Sequence, residues 1–174
     1  MKGIIDVMIT EVAIKKRIEE LAEEITNDYS GLTLYLICVL KGGVMFLSDL
    51  SRKLEVDVVM DFIDVSSYGS GTESSGIVRI DKDLDHPVTG RHVLLVEDIL
   101  DTGQTLSRLI RHLCAQRPAS LEVCTLLDKP ERRVIDCVIP KYIGFTIPDK
   151  FVVGYGLDFD QKYRQLPYIG IYNA

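Results

Sequence analysis

Residues 91–113 constrain the fold most, because this stretch passes from a buried strand through an acidic turn into an amphipathic helix. Residues 93–97, VLLVE, start with four aliphatic residues, a pattern that is typical of a strand covered on both faces. The helical part repeats apolar residues at the spacing of one helix face, at Leu106, Leu109, Ile110 and Leu113. The turn between them is therefore expected at the carboxyl ends of the strands, where open α/β sheets bind ligands.

The turn itself has the composition of a phosphate site. A helix start offers backbone N–H groups that lack an intrahelical partner, together with the positive end of the helix dipole. Thr102 and Thr105 add hydroxyl donors, and Gly103 allows close approach of the backbone and positive φ. Glu97 and Asp98 lie just before the turn and suit the two vicinal hydroxyls of a phosphorylated sugar. The simpler interpretation is a strand with an acidic end and a Thr-capped helix.

The sequence does not match the Walker A loop or the dinucleotide-binding fingerprint, and its composition argues against several other classes of protein. The turn lacks the Gly-Lys-Ser/Thr ending of a Walker A loop, and one glycine is too few for a dinucleotide fingerprint. A net charge of −6 argues against a nucleic-acid partner. Nothing resembles a signal peptide, and no apolar run approaches the roughly 20 residues of a membrane span. The four cysteines show no C-x-x-C spacing, which favours a reduced, cytoplasmic setting.

The remaining pattern predicts an α/β fold in one domain, since 174 residues are too few for two full-sized ones. Thr10 is expected to cap a helix with an apolar stripe from Ile14 to Ile25, after an apolar lead-in at 1–9. Strands are predicted at 32–40, 56–65, 120–127, 142–145 and 151–155, and a further helix at 44–54. His86, His92 and His112 lack metal-ligand spacing and are interpreted as structural or solvated.

Two other segments at the predicted ligand edge stand out. Lys41, Gly42 and Gly43 follow a strand, and either bind a second anion or form a plain tight turn. Residues 66–76 contain three glycines and five serines with almost no apolar surface, so we expect a mobile segment that acts as a lid between paired flanking strands.

Residues 96–106, VEDILDTGQTL, closely resemble the phosphoribosyl-pyrophosphate motif of the type I phosphoribosyltransferases. Further segments resemble the hypoxanthine–guanine branch of that family in the expected order. These are the Leu-Lys-Gly-Gly turn at 40–43, the Ser67-Tyr68 pair, and residues 147–158, which resemble the branch's purine-binding segment. The resemblance extends over roughly residues 33–172. One departure is Gln104, where some members carry lysine, so the phosphate turn here must rely on N–H and hydroxyl groups.

The resemblance implies a role for each matched residue. The phosphoribosyl group and its 5′-phosphate would be bound by Glu97, Asp98, Asp101, Thr102, Gly103, Gln104 and Thr105. Pyrophosphate would be bound by Lys41, Gly42 and Arg164, and the purine by Lys129, Phe151, Val152 and Asp158. Magnesium (Mg²⁺) would meet Glu97, Asp98 and Asp158, while Ser67 and Tyr68 would lie on the lid. Asp101 would be the catalytic residue, acting at N7 of the purine.

The implied fold is a twisted, mainly parallel sheet flanked by helices. One domain over 1–174 would have its core at about 30–145, a hood at about 146–174 that also takes in the N-terminus, and the lid at 66–76. The implied enzyme is a pentosyltransferase of purine salvage that converts phosphoribosyl pyrophosphate and hypoxanthine or guanine into IMP or GMP and pyrophosphate. A homo-oligomer, either a dimer or a tetramer, is expected, with neither a nucleic-acid nor a membrane partner.

Three alternatives remain open from the sequence. A phosphoribosyltransferase for another base, such as xanthine or a pyrimidine, would share most of these motifs. A regulatory protein that binds phosphoribosyl pyrophosphate without catalysis would keep the phosphate turn, but the retained Asp101, Lys129 and Asp158 argue against it. A plain doubly wound nucleotide binder has only residues 91–113 in its favour.

Overall fold

A computed structural model describes residues 4–67 and 78–173 of the chain. Its strands are β1 (Ile4–Ile9), β2 (Thr33–Leu40), β3 (Asp57–Ser67), β4 (Val78–Lys82), β5 (His92–Leu100), β6 (Ser120–Asp128), β7 (Tyr142–Thr146), β8 (Val152–Val153) and β9 (Ile169–Asn173). Its α-helices are α1 (Glu11–Asp28), α2 (Val44–Ser51) and α3 (Gln104–Cys114), and a 3₁₀ turn spans Pro130–Arg132. No helix within these described ranges has the length and apolar composition needed to cross a bilayer.

Six strands form the central sheet in the order β4-β3-β2-β5-β6-β7. All neighbours are parallel except β4, which pairs antiparallel with the end of β3. β5 lies between β2 and β6, with Cys38 opposite Val96 in the register of β2 and β5. The turns after β2, β5 and β6 consequently meet at one edge of the sheet. The mainly parallel α/β fold that the sequence predicts is confirmed.

The core has two layers, because alternate residues of each strand point to opposite faces of the sheet. One layer packs α1 and α2 on the sheet, and includes Ile14, Leu21, Phe46, Leu36 and Val96. The other packs α3, and includes Leu106, Leu109, Leu113, Ile37 and Leu95. Thr10 accepts a hydrogen bond from the backbone N–H of Ala13 (3.2 Å), so it caps α1 as predicted.

A second, three-stranded sheet has the order β1-β9-β8. The apolar lead-in at the start of the chain is thus a strand, with Ile4 paired to Asn173 near the other end. The prediction of a longer strand at 151–155 is wrong, since only Val152 and Val153 pair with β9. The division into a core, a hood and a lid stays a prediction.

Other boundaries also differ from those predicted. β5 continues past Glu97 to Leu100, because Ile99 and Leu100 still pair with β6. α2 ends at Ser51, three residues earlier than expected. The flanks of the predicted lid pair as a hairpin through Asp64–Ser67 and Val78–Lys82. Tyr68 and residues 69–76 of the lid lie outside the described residues.

Candidate active site

The phosphate turn, residues 101–105, joins the end of β5 to the start of α3. Gly103 has φ of +84°, a left-handed conformation that favours glycine, and it is the N-cap of α3. The Thr102 hydroxyl accepts a hydrogen bond from the backbone N–H of Gln104 (3.4 Å). A cavity of about 410 Å³ opens at this turn and is also lined by Glu97 and Asp98. The turn therefore presents a helix N-terminus to a cavity with an acidic wall.

Residues 132–135 form an outer wall of the phosphate turn that the sequence analysis missed. The backbone N–H groups of Val134 and Ile135 both donate to the carbonyl of Thr102, at 3.0 and 3.1 Å. Arg133 donates from Nε to the carbonyl of Asp101 (3.1 Å) and pairs with the Asp128 carboxylate. The sequence signal was the charged run after β6, which is usually solvated surface. Here it positions the backbone of the turn.

Glu97 and Asp98 are adjacent carboxylates that line the cavity, with Glu97 buried and Asp98 half-buried. Burial raises the pKa of Glu97 well above its ordinary value, and the charge of Asp98 raises it further. Burial also raises the pKa of Asp98. Two neighbouring carboxylates with raised pKa values are difficult to ionise together. Groups that donate hydrogen bonds or positive charge to their oxygens would stabilise the ionised pair. Sugar hydroxyls and a cation are both ligands of this kind.

Cys38 of β2 pairs with Val96 of β5, next to the same acidic pair. Burial, together with the charges of Glu97 and Asp98, raises the pKa of Cys38 to about 12. Cys38 and Cys124 are buried, whereas Cys114 and Cys137 are exposed.

The second predicted anion turn follows β2, beside the acidic pair. The peptide bond between Leu40 and Lys41 is cis. A Cβ added to Gly42 would lie 1.5 Å from Oδ2 of Asp98, so the Asp98 carboxylate packs directly on the glycine backbone. The Lys41 turn and the acidic pair are thus in van der Waals contact.

The segment after β8 completes this part of the site. A Cβ on Gly156, which has φ of +100°, would lie 2.0 Å from the carbonyl oxygen of Gly42. Arg164 donates from Nη1 to the carbonyl of Gly156 (2.7 Å), and its Nη2 lies 2.8 Å from Oδ1 of Asp158. The structure therefore brings the predicted pyrophosphate residues Lys41, Gly42 and Arg164 to one place.

Lys129 follows β6 at the same edge and is buried, with 6 % of its surface exposed. Its ammonium donates to the carbonyl of Lys150 (2.6 Å) and lies 3.8 Å from Oδ1 of Asp149. Arg132 lies between Asp149 and the turn: its Nη1 is 3.7 Å from Oδ2 of Asp149, and its Nε donates to Oδ1 of Asp101 (3.1 Å). We call Asp101, Arg132, Asp149 and Lys129 the ion-pair network.

Phe151 carries the most exposed ring of an aromatic cluster, with 53 % of its surface exposed. It meets Phe159 and Tyr172 edge to face, at centroid distances of 5.8 and 6.2 Å. Val152, the next residue, is buried in β8. An exposed ring held at its edges by other rings can stack on a planar ligand.

The predicted magnesium residues are not brought together as one cluster. Within the described ranges, no group of three or more His, Cys, Asp or Glu side chains is arranged to hold a metal ion. Asp158 is instead paired with Arg164. Mg²⁺ commonly takes one or two protein carboxylates and completes its shell with water and substrate phosphates. Glu97 and Asp98 fit that donor set.

This sheet edge, with a phosphate-binding helix start, an acidic pair and a glycine-rich second turn, is that of a sugar-phosphate-binding α/β protein. Residues 8–160 match the phosphoribosyl transferase domain, and the chain belongs to that family.

Within the family, the chain belongs to the hypoxanthine–guanine branch. It is 49 % identical over 172 residues to the hypoxanthine phosphoribosyltransferase of Salmonella typhimurium, a match that covers 98 % of this chain and 96 % of the relative. It is 53 % identical over 170 residues to the hypoxanthine-guanine phosphoribosyltransferase of Mycobacterium tuberculosis, covering 94 % and 84 %. The crystal structure of a hypoxanthine phosphoribosyltransferase from Staphylococcus aureus superposes with a TM-score of 0.93 at 48 % identity, covering 97 % of this chain and 91 % of that one. The resemblance inferred from the motifs is confirmed.

Proposed function

We propose that the protein transfers the 5-phosphoribosyl group of phosphoribosyl pyrophosphate to hypoxanthine or guanine, giving IMP or GMP and pyrophosphate. The observation that carries the choice of base is the buried Lys129 at the edge of the sheet that also holds the phosphate turn. An ammonium donates hydrogen bonds and cannot accept them. It therefore matches the 6-oxo group of these purines and not the 6-amino group of adenine.

The reaction breaks the bond between the anomeric carbon and a pyrophosphate oxygen, and forms one to a ring nitrogen of the base. The sugar passes through an oxocarbenium-like state, as in glycosyl transfer generally. Asp101 is at the start of the phosphate turn, where its carboxylate accepts or shares the proton at N7. Glu97 and Asp98 bind the ribose hydroxyls, and their charge stabilises the positive centre as it develops.

Pyrophosphate leaves with the bonding electrons, so its charge must be balanced locally in a chain of net charge −6. Lys41 and Arg164 provide cationic groups on that side of the site. We propose that Glu97 and Asp98 would hold Mg²⁺, which would neutralise the leaving group, while Asp158 stays paired with Arg164. Glu97 and Asp98 both line the cavity at the phosphate turn, which supports a cation at this position.

The experiment is to mix the protein with phosphoribosyl pyrophosphate, magnesium and hypoxanthine, guanine, xanthine, adenine or a pyrimidine base in turn. We expect IMP and GMP to form fastest. Xanthine as the best substrate would favour the nearest alternative. Binding of phosphoribosyl pyrophosphate without turnover of any base would identify a non-catalytic regulator instead.

We also propose that the protein is a homo-oligomer, a dimer or a tetramer, in the cytoplasm. Among the described residues, β3 has a second strand neighbour only from Asp64 onward, so its first half is a sheet edge. Val59 and Met60 are exposed on that edge, and exposed edges with apolar side chains favour association. Sedimentation of the wild type and of Met60→Lys would test this, because the lysine should shift the protein toward the monomer.

A further inference from the structure

The ion-pair network spans the two groups that would contact the purine. Its members alternate in sign along the chain of contacts, from Asp101 through Arg132 and Asp149 to Lys129. Asp101 belongs to the phosphate turn, Arg132 and Lys129 to the segment after β6, and Asp149 to the segment before β8. The network therefore joins three separate loops at the base site.

We propose that Arg132 and Asp149 are positioning residues that fix the distance between Asp101 and Lys129. This inference rests on the proposed function, in which Asp101 meets N7 and Lys129 meets the 6-oxo group of one purine edge. Those two purine atoms have a fixed separation, so their protein partners need a fixed separation too. Productive geometry of this kind has a large effect on rate.

The contacts support a positioning role rather than a stabilising one. The side chains of Arg132 and Asp149 are 48 % and 45 % exposed, and ion pairs this exposed contribute little to folding stability. The Arg132 guanidinium has donors on one plane, so it can contact two carboxylates at once. Hydrogen bonding and charge from Asp101, with the charge of Asp149, raise the pKa of Arg132.

Removing Arg132 would leave Asp101 and Asp149 facing each other without the cation between them. Asp101 would then lose the side-chain hydrogen bond that Arg132 donates to it. Lys129 would keep its contact with the carbonyl of Lys150, so the donor to the purine would stay while its relation to Asp101 changed. The expected defect is one of alignment.

The kinetic test compares wild type, Arg132→Gln, Arg132→Lys, Asp149→Asn and the Arg132→Gln/Asp149→Asn double variant. We expect Arg132→Gln to lower kcat/KM for hypoxanthine about tenfold, with the KM for phosphoribosyl pyrophosphate and the unfolding midpoint nearly unchanged. Arg132→Lys should recover part of the loss. The double variant should be no worse than the poorer single variant, because residues that act together are not additive.

Lys53→Gln is the matched control, since Lys53, just after α2, and Glu19 of α1 form an exposed ion pair at 2.7 Å. It should leave all kinetic constants unchanged. Wild-type kcat/KM in Arg132→Gln, or fully additive losses in the double variant, would overturn the proposal. So would an Arg132→Gln defect explained by a lowered unfolding midpoint.

A measurement without substrate separates this inference from the proposed function. In isotope-labelled protein, the Nε–H of Arg132 should give an NMR signal protected from exchange with water. Asp101→Asn and Asp149→Asn should each reduce that protection, whereas Glu19→Gln should not. Unchanged protection in Asp149→Asn overturns the positioning role even if the enzyme is active. An inactive wild type with a protected signal overturns only the proposed function.

Discussion

The carboxylate of Asp98 occupies the space that a side chain on Gly42 would need, with 1.5 Å between Oδ2 and an added Cβ. The turn after β2 and the neighbouring strand β5 are therefore fitted to each other at the level of single atoms. Gly42 does not have positive φ, so the requirement for glycine here is one of space and not of backbone conformation.

Gly42→Ala should displace Asp98 or the Lys41 turn, because the methyl group cannot fit beside the carboxylate. We expect the KM for phosphoribosyl pyrophosphate to rise at least about tenfold, as for a lost positioning contact. Gly90→Ala is the control: Gly90 has φ of +69° but no atom within 4 Å of an added Cβ, so that variant should lose stability and keep activity. Equal kinetics in both variants would contradict the prediction.

Lys129→Met should lower kcat/KM for hypoxanthine and guanine by about 2 kcal/mol or more of transition-state stabilisation, because a charged hydrogen bond to the 6-oxo group is lost. Steady-state kinetics would measure this. Lys150→Met is the matched control, because only the backbone carbonyl of Lys150 contacts Lys129. If Lys129→Met kept wild-type activity, or if adenine were the best substrate of the native protein, the role of this lysine would be wrong.

Asp101→Asn keeps the shape of the turn and removes the proton acceptor. Turnover should fall by roughly 10²-fold, within the range of general acid–base groups. Affinity for phosphoribosyl pyrophosphate, measured by calorimetry, should change far less, since the backbone of the turn is held by Arg133, Val134 and Ile135. A proportional loss of binding and turnover would show that Asp101 mainly holds the ligand.

Glu97→Gln should make the ligand-free protein more stable while it loses activity. Burial and the charge of Asp98 raise the pKa of Glu97, so at neutral pH this carboxyl destabilises the folded state relative to the unfolded chain, where it ionises freely. A neutral side chain of the same shape removes this cost, which we put at about 1 kcal/mol. Thermal unfolding without ligand, with Glu122→Gln as the control, would check it. A lower unfolding midpoint would contradict the prediction.

Asp28 should give a stabilisation that disappears in acid. Lys141 lies 2.8 Å from its Oδ2, and the hydroxyl of the buried Tyr142 donates to the same oxygen (2.7 Å). Both contacts lower the pKa of Asp28, and the hydrogen bond from Lys141 has the larger effect. A lowered pKa means that the contribution is present above the unfolded-state pKa, near pH 4, and is lost as the pH falls through the folded-state value.

Asp28→Asn should therefore lower the free energy of unfolding at pH 7 by about 1 kcal/mol. This value is small for a charged hydrogen bond because solvent screens the half-exposed carboxylate. The difference from wild type should shrink below about pH 4. Denaturant titrations across this range would measure it. If the difference in unfolding free energy between the variant and wild type grew in acid, the prediction would be contradicted. Asp160→Asn, which removes an exposed pair with Lys162, should show no such dependence.

The strand, phosphate turn and helix at 91–113 could be predicted because their signals are local. Apolar runs, helical spacing and the orphan N–H groups of a helix start all depend on residues within a few positions of each other. The Lys41 turn was ambiguous on its own residues, since its contact with Asp98 depends on how β2 and β5 are aligned. That alignment is a property of the sheet and not of either segment.

The wall of the phosphate turn could not be predicted for a similar reason. Arg132 and Arg133 end a charged run, residues 128–133, that is typical of solvated surface, and the partners of residues 132–135, Asp101 and Thr102, are about thirty positions away. β1 pairs with β9 although more than roughly 150 residues separate them, and the sequence of neither strand indicates which strand it pairs with. Long-range polar contacts of this kind leave no periodic signal in the sequence.

The different settings of the four cysteines make the chain a convenient object for chemical labelling. Thiol reagents react with the thiolate form of cysteine. Cys38 is buried and its pKa is raised to about 12, so it should react slowly. Cys137 is exposed and close in sequence to the wall of the phosphate turn, whereas the exposed Cys114 is the last residue of α3, at the opposite end of that helix from the turn. A fluorophore on Cys137 would report occupancy of the turn, and one on Cys114 would serve as the reference, with no cysteine added to the protein.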